Sequence, residues 1–101
     1  VVRVEDSLVS YMLLLVAKTR EQEHLALGVS PRGSQALYRA AQALALLEGR
    51  DYCIPEDVKR LAVSVFAHRV VVSTRYATTL KKSEQAEAIV REIVEKAEVP
   101  V

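Results

Sequence analysis

The apolar residues of this chain recur at helical spacing in four stretches, which short polar segments separate. The first stretch runs from about Asp6 to Thr19 and is apolar on almost every side. A helix of that kind buries more than one face. We therefore expect one face to meet the core of the domain and another to meet a missing domain or a ligand.

A second helix is predicted from Pro31 to about Leu47. The hydroxyl of Ser30 can accept a hydrogen bond from a free amide of the first turn, and a proline at the first helical position has no amide to lose. Gly49 is the predicted stop, because glycine readily takes the left-handed conformation after a last turn. The residues predicted to face inward are Ala36, Leu37, Ala40, Ala41, Leu44 and Leu47.

Pro55 opens a third predicted helix, which His68 closes, and acidic residues in its first turn complement the helix dipole. Its apolar face consists of Val58, Leu61, Ala62, Val65 and Phe66. After a polar loop from Ser73 to Lys82, Ser83 is expected to cap a fourth helix from Glu84 to about Glu98. Its apolar stripe is the most regular in the chain: Ala86, Ile89, Val90, Ile93, Val94 and Ala97.

Two short stretches, Leu25–Leu27 and Tyr52–Ile54, are compatible with β-structure, and each comes shortly before a proline-marked helix start. They can pair as two very short strands in the loops. Four helices with short links predict an all-α fold, a compact four-helix bundle that forms a single domain over residues 1–101.

Composition and charge narrow the possible functions. The chain has 101 residues, 14 basic and 13 acidic side chains and a net charge of +1, unlike a dedicated DNA-binding domain. The one cysteine, Cys53, excludes an internal disulfide. No apolar run approaches the roughly 20 residues that span a bilayer, so no membrane partner is expected. The chain has no initiator methionine, and we interpret it as a cytoplasmic fragment of a longer protein.

Motifs of nucleotide, metal and acyl-transfer chemistry are absent from the sequence. The three glycines, Gly28, Gly33 and Gly49, do not form the GxxxxGK[ST] loop that cradles phosphates. No HExxH, paired CxxC or GxSxG element occurs either. We expect the isolated chain not to be an enzyme and to have no catalytic residues, metal site or cofactor of its own.

The most informative stretch for function is Ser30-Pro31-Arg32. It places Arg32 at the second residue of a helix, beside free amides and the positive end of the dipole, where an anion is stabilised. Arginine adds a permanently charged, bidentate donor for phosphate oxygens. The alternative is a solvent-facing arginine behind an ordinary Ser-Pro helix start, which the residues alone favour.

Five short motifs follow one another along the chain: Thr19-Arg20-Glu21, Leu27-Gly28-Val29-Ser30-Pro31-Arg32, Ala45-Leu46-Leu47-Glu48-Gly49-Arg50-Asp51-Tyr52, Pro55-Glu56-Asp57-Val58 and His68-Arg69. Together they resemble the C-terminal lid of MoxR-type AAA+ ATPases. The resemblance covers roughly Val4 to Val72 and is weaker from Ser73 to Val101. It departs from the family at Ile54, where members often carry a small hydroxyl residue that caps the next helix.

The resemblance implies a helical lid that follows an α/β ATPase core bearing the Walker motifs. It implies that Arg32 is the sensor 2 arginine, which reaches the γ-phosphate of ATP bound with Mg in the parent, and that Ser30 and Pro31 adjoin it. Rotation of the lid with nucleotide state would then drive chaperone-like remodelling. The implied partners are the core of the same chain, neighbouring subunits of a hexamer and a von Willebrand A domain protein.

Two other functions remain open from the sequence. One is a helical protein-interaction module without nucleotide chemistry, which uses the surplus apolar surface of the first helix. The other is a DNA-binding module that uses a loose basic patch, against which the near-neutral charge argues: Arg69, Arg75, Lys81 and Lys82. Simpler structural roles are expected for the remaining candidates. Tyr11 and Cys53 are expected in the core, Arg20 in a surface salt bridge and His24 in solvent. His68 is expected to interact with the last carbonyls of its helix.

Overall fold

The computed structural model describes residues 2–73 and 82–99. These residues form four helices and two very short strands in the order α1 (Asp6–Glu21), β1 (Leu25–Leu27), α2 (Pro31–Leu47), α3 (Pro55–Ala67), β2 (Val71–Val72) and α4 (Lys82–Lys96). The fold is a helical bundle with a minimal two-stranded sheet, so the predicted fold class is confirmed. No helix in the described ranges combines the length and apolar composition that a membrane span needs.

The helix boundaries agree closely with the sequence at α2 and α3, and less closely at α1 and α4. α1 continues two residues past Thr19, through Arg20 and Glu21, which are good helix formers. α4 begins at Lys82, so Ser83 lies inside the first turn and not before it. The prediction that Ser83 is the cap residue is therefore wrong, because the helix starts before that position.

All four helices contribute to one hydrophobic core. The bulkiest apolar side chains that are almost fully buried come from α1, α2, α3, α4 and the loop before α2: Tyr11, Met12, Leu15, Val29, Leu37, Val58, Phe66 and Val90. The predicted apolar face of α4 is buried at Ala86, Ile89, Val90, Ile93 and Val94.

One predicted core residue of α2 lies outside the core. The buried positions Leu37, Ala41 and Ala45 repeat every four residues and define the inner face of the helix. Leu47 is two residues past Ala45 and therefore points away from that face. It is 85% exposed, so its predicted inward orientation is wrong.

The predicted pairing of Leu25–Leu27 with Tyr52–Ile54 is also wrong. β1 pairs antiparallel with β2, with Leu25 opposite Val72. The reason is the length of α2, which has 17 residues and is therefore about 25 Å long. This helix carries the chain away from β1, so Tyr52 instead forms an isolated parallel bridge with Arg3.

The corner between α2 and α3 is held by a partly buried ion pair. Gly49 takes the left-handed conformation (φ 77°), as predicted for the end of α2. Arg50 then donates two hydrogen bonds to the Asp57 carboxylate, at 2.7 and 2.8 Å, and one to the carbonyl of Tyr52 at 2.9 Å. Asp57 also accepts a 2.9 Å hydrogen bond from the amide of Ile54.

This arrangement explains how α3 begins without a hydroxyl residue at position 54. Ile54 has no side-chain acceptor, and the carboxylate of Asp57 reaches back to its amide instead, which is one half of a capping box. The hydrogen bonds from Arg50 hold the pKa of Asp57 below its usual range, against the opposite effect of burial. The absence of a hydroxyl cap at position 54 is thus offset within the first turn.

Candidate functional site

The start of α2 places Arg32 where the sequence predicts it, as the second helical residue after Ser30 and Pro31. The Arg32 side chain is exposed. Ser30 occupies the cap position, but its hydroxyl makes no capping hydrogen bond, so that part of the prediction is wrong. The amide of Gly33 instead donates to the backbone carbonyl of Ser30 at 2.8 Å.

This geometry leaves the first turn open to an anion. Within residues 2–73 and 82–99, the amide of Arg32 has no protein hydrogen-bond partner and its guanidinium has no ion pair. Free amides at a helix start carry the positive end of the helix dipole. Arg32 therefore combines a backbone donor and a charged side chain at one exposed point.

Two glycines allow other elements to approach this helix start closely. A Cβ atom on Gly33 would overlap Cγ1 of Val29 and would lie 3.5 Å from Cδ of Arg69. A Cβ atom on Gly28 would lie 2.8 Å from the backbone N and Cα of Arg20. The glycines thus bring the first turn of α2 beside Arg69 and the preceding loop onto the last turns of α1.

Thr19 fixes the same loop from inside the domain. Its buried hydroxyl donates a 2.6 Å hydrogen bond to the carbonyl of Val16 and accepts a 3.0 Å hydrogen bond from the amide of Val29. The loop before α2 is therefore tied to the end of α1. No sequence pattern indicates this role, although Thr19 belongs to one of the five motifs.

An open groove of about 530 Å³ runs beside the start of α2. Its walls include Arg20 from α1 and Arg69 from the segment after α3, together with Gly28, Ser30 and Pro31. The groove has no acidic lining residue, and in the described part of the chain neither arginine has an ion pair. The surface ion pair expected for Arg20 is thus not formed there.

The histidines and the proposed basic patch add little to this site. His68 is exposed just after α3, as expected for a residue at a helix end, while His24 is only half-exposed, with Nε2 3.8 Å from a Glu23 carboxylate oxygen. Of the basic patch, Arg69 is exposed. Arg75, Lys81 and the side chain of Lys82 lie outside the described residues.

Tyr11 and Cys53 are core residues, as expected. Burial, helped by the charge of Glu56, raises the pKa of Tyr11, whose hydroxyl has no hydrogen-bond partner among the described residues. Burial also raises the pKa of the Cys53 thiol. Neither side chain is available to an external ligand, and the described residues contain no group of three or more His, Cys, Asp or Glu side chains placed to hold a metal.

A second surface feature is an apolar groove of about 370 Å³ between α1 and α2. Leu13, which is 53% exposed, lines it together with Val9, Met12 and Tyr38. It is the additional apolar face that the pattern of the first helix predicts.

This chain is similar to known proteins at three levels, which agree with one another: a family model, individual sequences and a solved structure. The AAA lid domain family matches residues 17–93. The chain is 48% identical over 100 residues to the uncharacterized protein YeaC of Bacillus subtilis, covering 99% of this chain and 30% of that protein. It is 40% identical over 79 residues to chaperone MoxR1 of Mycobacterium tuberculosis, covering 69% and 21% of the two chains.

Among solved structures, the fold matches a "putative ATPase" from Cytophaga hutchinsonii with a TM-score of 0.85 and 28% sequence identity. The match covers 99% of this chain and 32% of that one. The chain thus spans about a third or less of the length of each of these three proteins.

Proposed function

Because the chain belongs to the AAA lid domain family, as the C-terminal lid of a MoxR-type AAA+ ATPase, we propose that Arg32 is the sensor 2 arginine of its parent. In this proposal Arg32 contacts the γ-phosphate of ATP held with Mg by the ATPase core. Ser30 and Pro31 set the position of Arg32 at the helix start. The lid then moves against the core when the terminal phosphate is lost.

One observation carries the proposal: Arg32 is exposed, has no ion pair with any described residue, and lies on a helix start whose serine hydroxyl makes no capping hydrogen bond. An ordinary Ser-Pro start satisfies an amide with the serine hydroxyl, and this one does not. A phosphate oxygen can take both the amide and the guanidinium as donors.

Arg32 acts in this proposal by placing a positive charge beside the γ-phosphate. Phosphoryl transfer spreads negative charge over the γ-phosphate oxygens, and catalysis rests largely on donors placed where that charge develops. ATP has this group and ADP does not, so contact with Arg32 distinguishes the two states. The interaction couples hydrolysis in the core to the position of the lid.

The wider proposal concerns the parent protein. We place it in the cytoplasm as an ATPase that works as a hexamer and remodels protein clients, with a von Willebrand A domain protein as partner. The name of the related chaperone MoxR1 supports the chaperone-like part.

The test is ATP turnover by the full-length parent with Arg32→Ala. We expect kcat to fall by about 10- to 100-fold, since removal of one preorganised donor to a transition-state oxyanion has effects of this order or larger. Arg39→Ala is the matched control, because Arg39 is exposed on the same helix about two turns away. Circular dichroism and size-exclusion chromatography establish that fold and assembly are retained. Unchanged turnover in a folded, assembled Arg32→Ala protein would rule out the sensor role.

A second candidate function is a protein-interaction module without nucleotide chemistry. Exposed leucines favour it: Leu46 and Leu47 at the end of α2 and Leu13 on α1 are more than half exposed. Apolar surface of this kind marks contact sites for other proteins or domains. This candidate would replace the first if the parent hydrolysed no ATP.

A further inference from the structure

We propose that Arg69 is a second phosphate-contacting residue, which binds the nucleotide from the groove beside the start of α2. The inference rests on the proposed function of Arg32 and extends it. It assigns the ligand of the groove as the phosphate chain of the same nucleotide. Arg20, on the opposite element, adds positive charge to the groove without an assigned contact.

The position of Arg69 is set by the fold. Its amide donates a 2.9 Å hydrogen bond to the carbonyl of Phe66, which anchors the backbone just after α3 to a buried residue. Its side chain then lies over the first turn of α2, with Cδ 3.5 Å from the place where a Cβ of Gly33 would be. The stem of Arg69 therefore packs beside Gly33 at van der Waals distance.

The charge of the groove favours an anion. Cations are stabilised at the C-terminal end of a helix and disfavoured at the N-terminal end. Here Arg20 and Arg69 line a groove at the N-terminal end of α2, and Arg32 belongs to that turn. Within the described ranges none of these three has an acidic partner, and no acidic residue lines the groove. Such an arrangement is stabilised when a bound anion lies among the arginines.

A polyphosphate fits this arrangement better than a single carboxylate. Arg32 and Gly33 are neighbours in the chain, with Cα atoms about 3.8 Å apart, and Arg69 lies against Gly33. Arg32 thus belongs to the first turn of α2, and the side chain of Arg69 packs beside the same turn from a different element. A phosphate chain has several charged oxygens and can bind both arginines, whereas a single carboxylate pairs with one guanidinium group.

The experiment measures binding of ADP and of a non-hydrolysable ATP analogue to the full-length parent by isothermal titration calorimetry. We expect Arg69→Gln to weaken binding of the analogue by about 10-fold or more, the effect of one lost charge-assisted hydrogen bond. Arg69→Lys should recover part of the loss, because lysine keeps the charge but lacks the planar fork. Arg39→Gln, exposed about two turns further along α2 and away from the groove, is the control and should bind as wild type.

The outcomes separate this inference from the proposed function. If Arg32→Ala lowers turnover while Arg69→Gln binds both nucleotides as wild type, the contact by Arg69 is overturned and the sensor proposal stands. If neither variant changes turnover or binding, both proposals fail. If Arg69→Gln binds nucleotide normally but no longer assembles by size-exclusion chromatography, the groove holds carboxylates of a neighbouring protein, which also overturns the inference. Circular dichroism identifies an unfolded variant, in which case Arg69→Lys decides.

Discussion

At the scale of single residues, Asp57 is a charged side chain in a buried position. Its side chain is only 2% exposed, and its carboxylate accepts two hydrogen bonds from Arg50 and one from the amide of Ile54. A buried carboxylate is unfavourable unless it is paired and hydrogen-bonded. Arg50 and Asp57 are both present in the sequence motifs, but nothing in those motifs indicates that the two side chains meet.

The pair predicts a specific dependence of stability on pH. The folded-state pKa of Asp57 lies below its ordinary value of 3.8, so the native state binds this proton less readily than the unfolded state. The stabilisation that ionised Asp57 provides is complete above its unfolded-state pKa. It is lost as the pH falls from that value through the lower folded-state pKa. Urea unfolding from pH 7 to pH 3 checks this.

The matched variant in that experiment is Asp57→Asn. At pH 7 it should be less stable than wild type by about 1–3 kcal/mol, because Arg50 loses the charge of its nearer carboxylate partner and keeps Glu48 at 3.9 Å. The difference should shrink as the pH approaches 3. Glu56→Gln, an exposed neighbour, should follow the wild-type curve closely. A difference between Asp57→Asn and wild type that is constant with pH would contradict the prediction.

At the scale of elements, α2 organises the domain through its length and its two ends. Its start gathers side chains from α1 and from the segment after α3, and its end leads through Gly49 into the corner closed by Arg50. Its 17 residues separate these two regions. The bounds of α2 could be predicted because proline and glycine mark them locally, whereas the strand partners could not, since they depend on where α2 and α3 carry the chain.

Gly33→Ala tests the close approach at the start of α2. In a helix without such contacts, glycine to alanine stabilises by up to about 1 kcal/mol. Here we expect a loss of about 1–3 kcal/mol instead, as for other overpacked positions, because the new methyl group would overlap Val29. The control is Gln35→Ala, because Gln35 is exposed two residues further along the same helix. It should change the free energy of unfolding by under about 0.5 kcal/mol. A stabilised Gly33→Ala protein in urea unfolding would refute this account.

At the scale of the whole molecule, the lid presents surfaces that a larger protein can use. The arginines lie at one end of α2, and the exposed Leu46 and Leu47 lie at the other. At 1.5 Å per residue the two ends are about 20 Å or more apart. One compact ligand cannot cover both, so the proposed nucleotide contact and the exposed leucines belong to separate surfaces of the lid.

We therefore predict that the 101-residue chain by itself folds cooperatively but binds ATP with a Kd above about 1 mM. An exposed groove provides charge but little of the enclosure that a small-molecule site supplies, and ordering a flexible ligand has its own cost. NMR titration of the isolated chain with ATP, alongside the Arg32→Ala chain, measures this. A Kd in the low micromolar range for the isolated chain would show that the lid alone forms the site.

What the sequence by itself determined is local in origin. Helical spacing, the prolines at 31 and 55 and the glycine at 49 act within one or two turns. They were enough for the all-α class, for the bounds of α2 and for the place of Arg32 on its first turn.

The tertiary structure decided the features that join distant parts of the chain. Arg69 reaches the start of α2, β1 pairs with β2, and Leu47 faces away from the core. Each depends on the direction in which one packed helix carries the chain relative to another. The backbone geometry of the first turn likewise decided that the Ser30 hydroxyl makes no capping hydrogen bond. The amide of Gly33 already donates to the backbone carbonyl of Ser30.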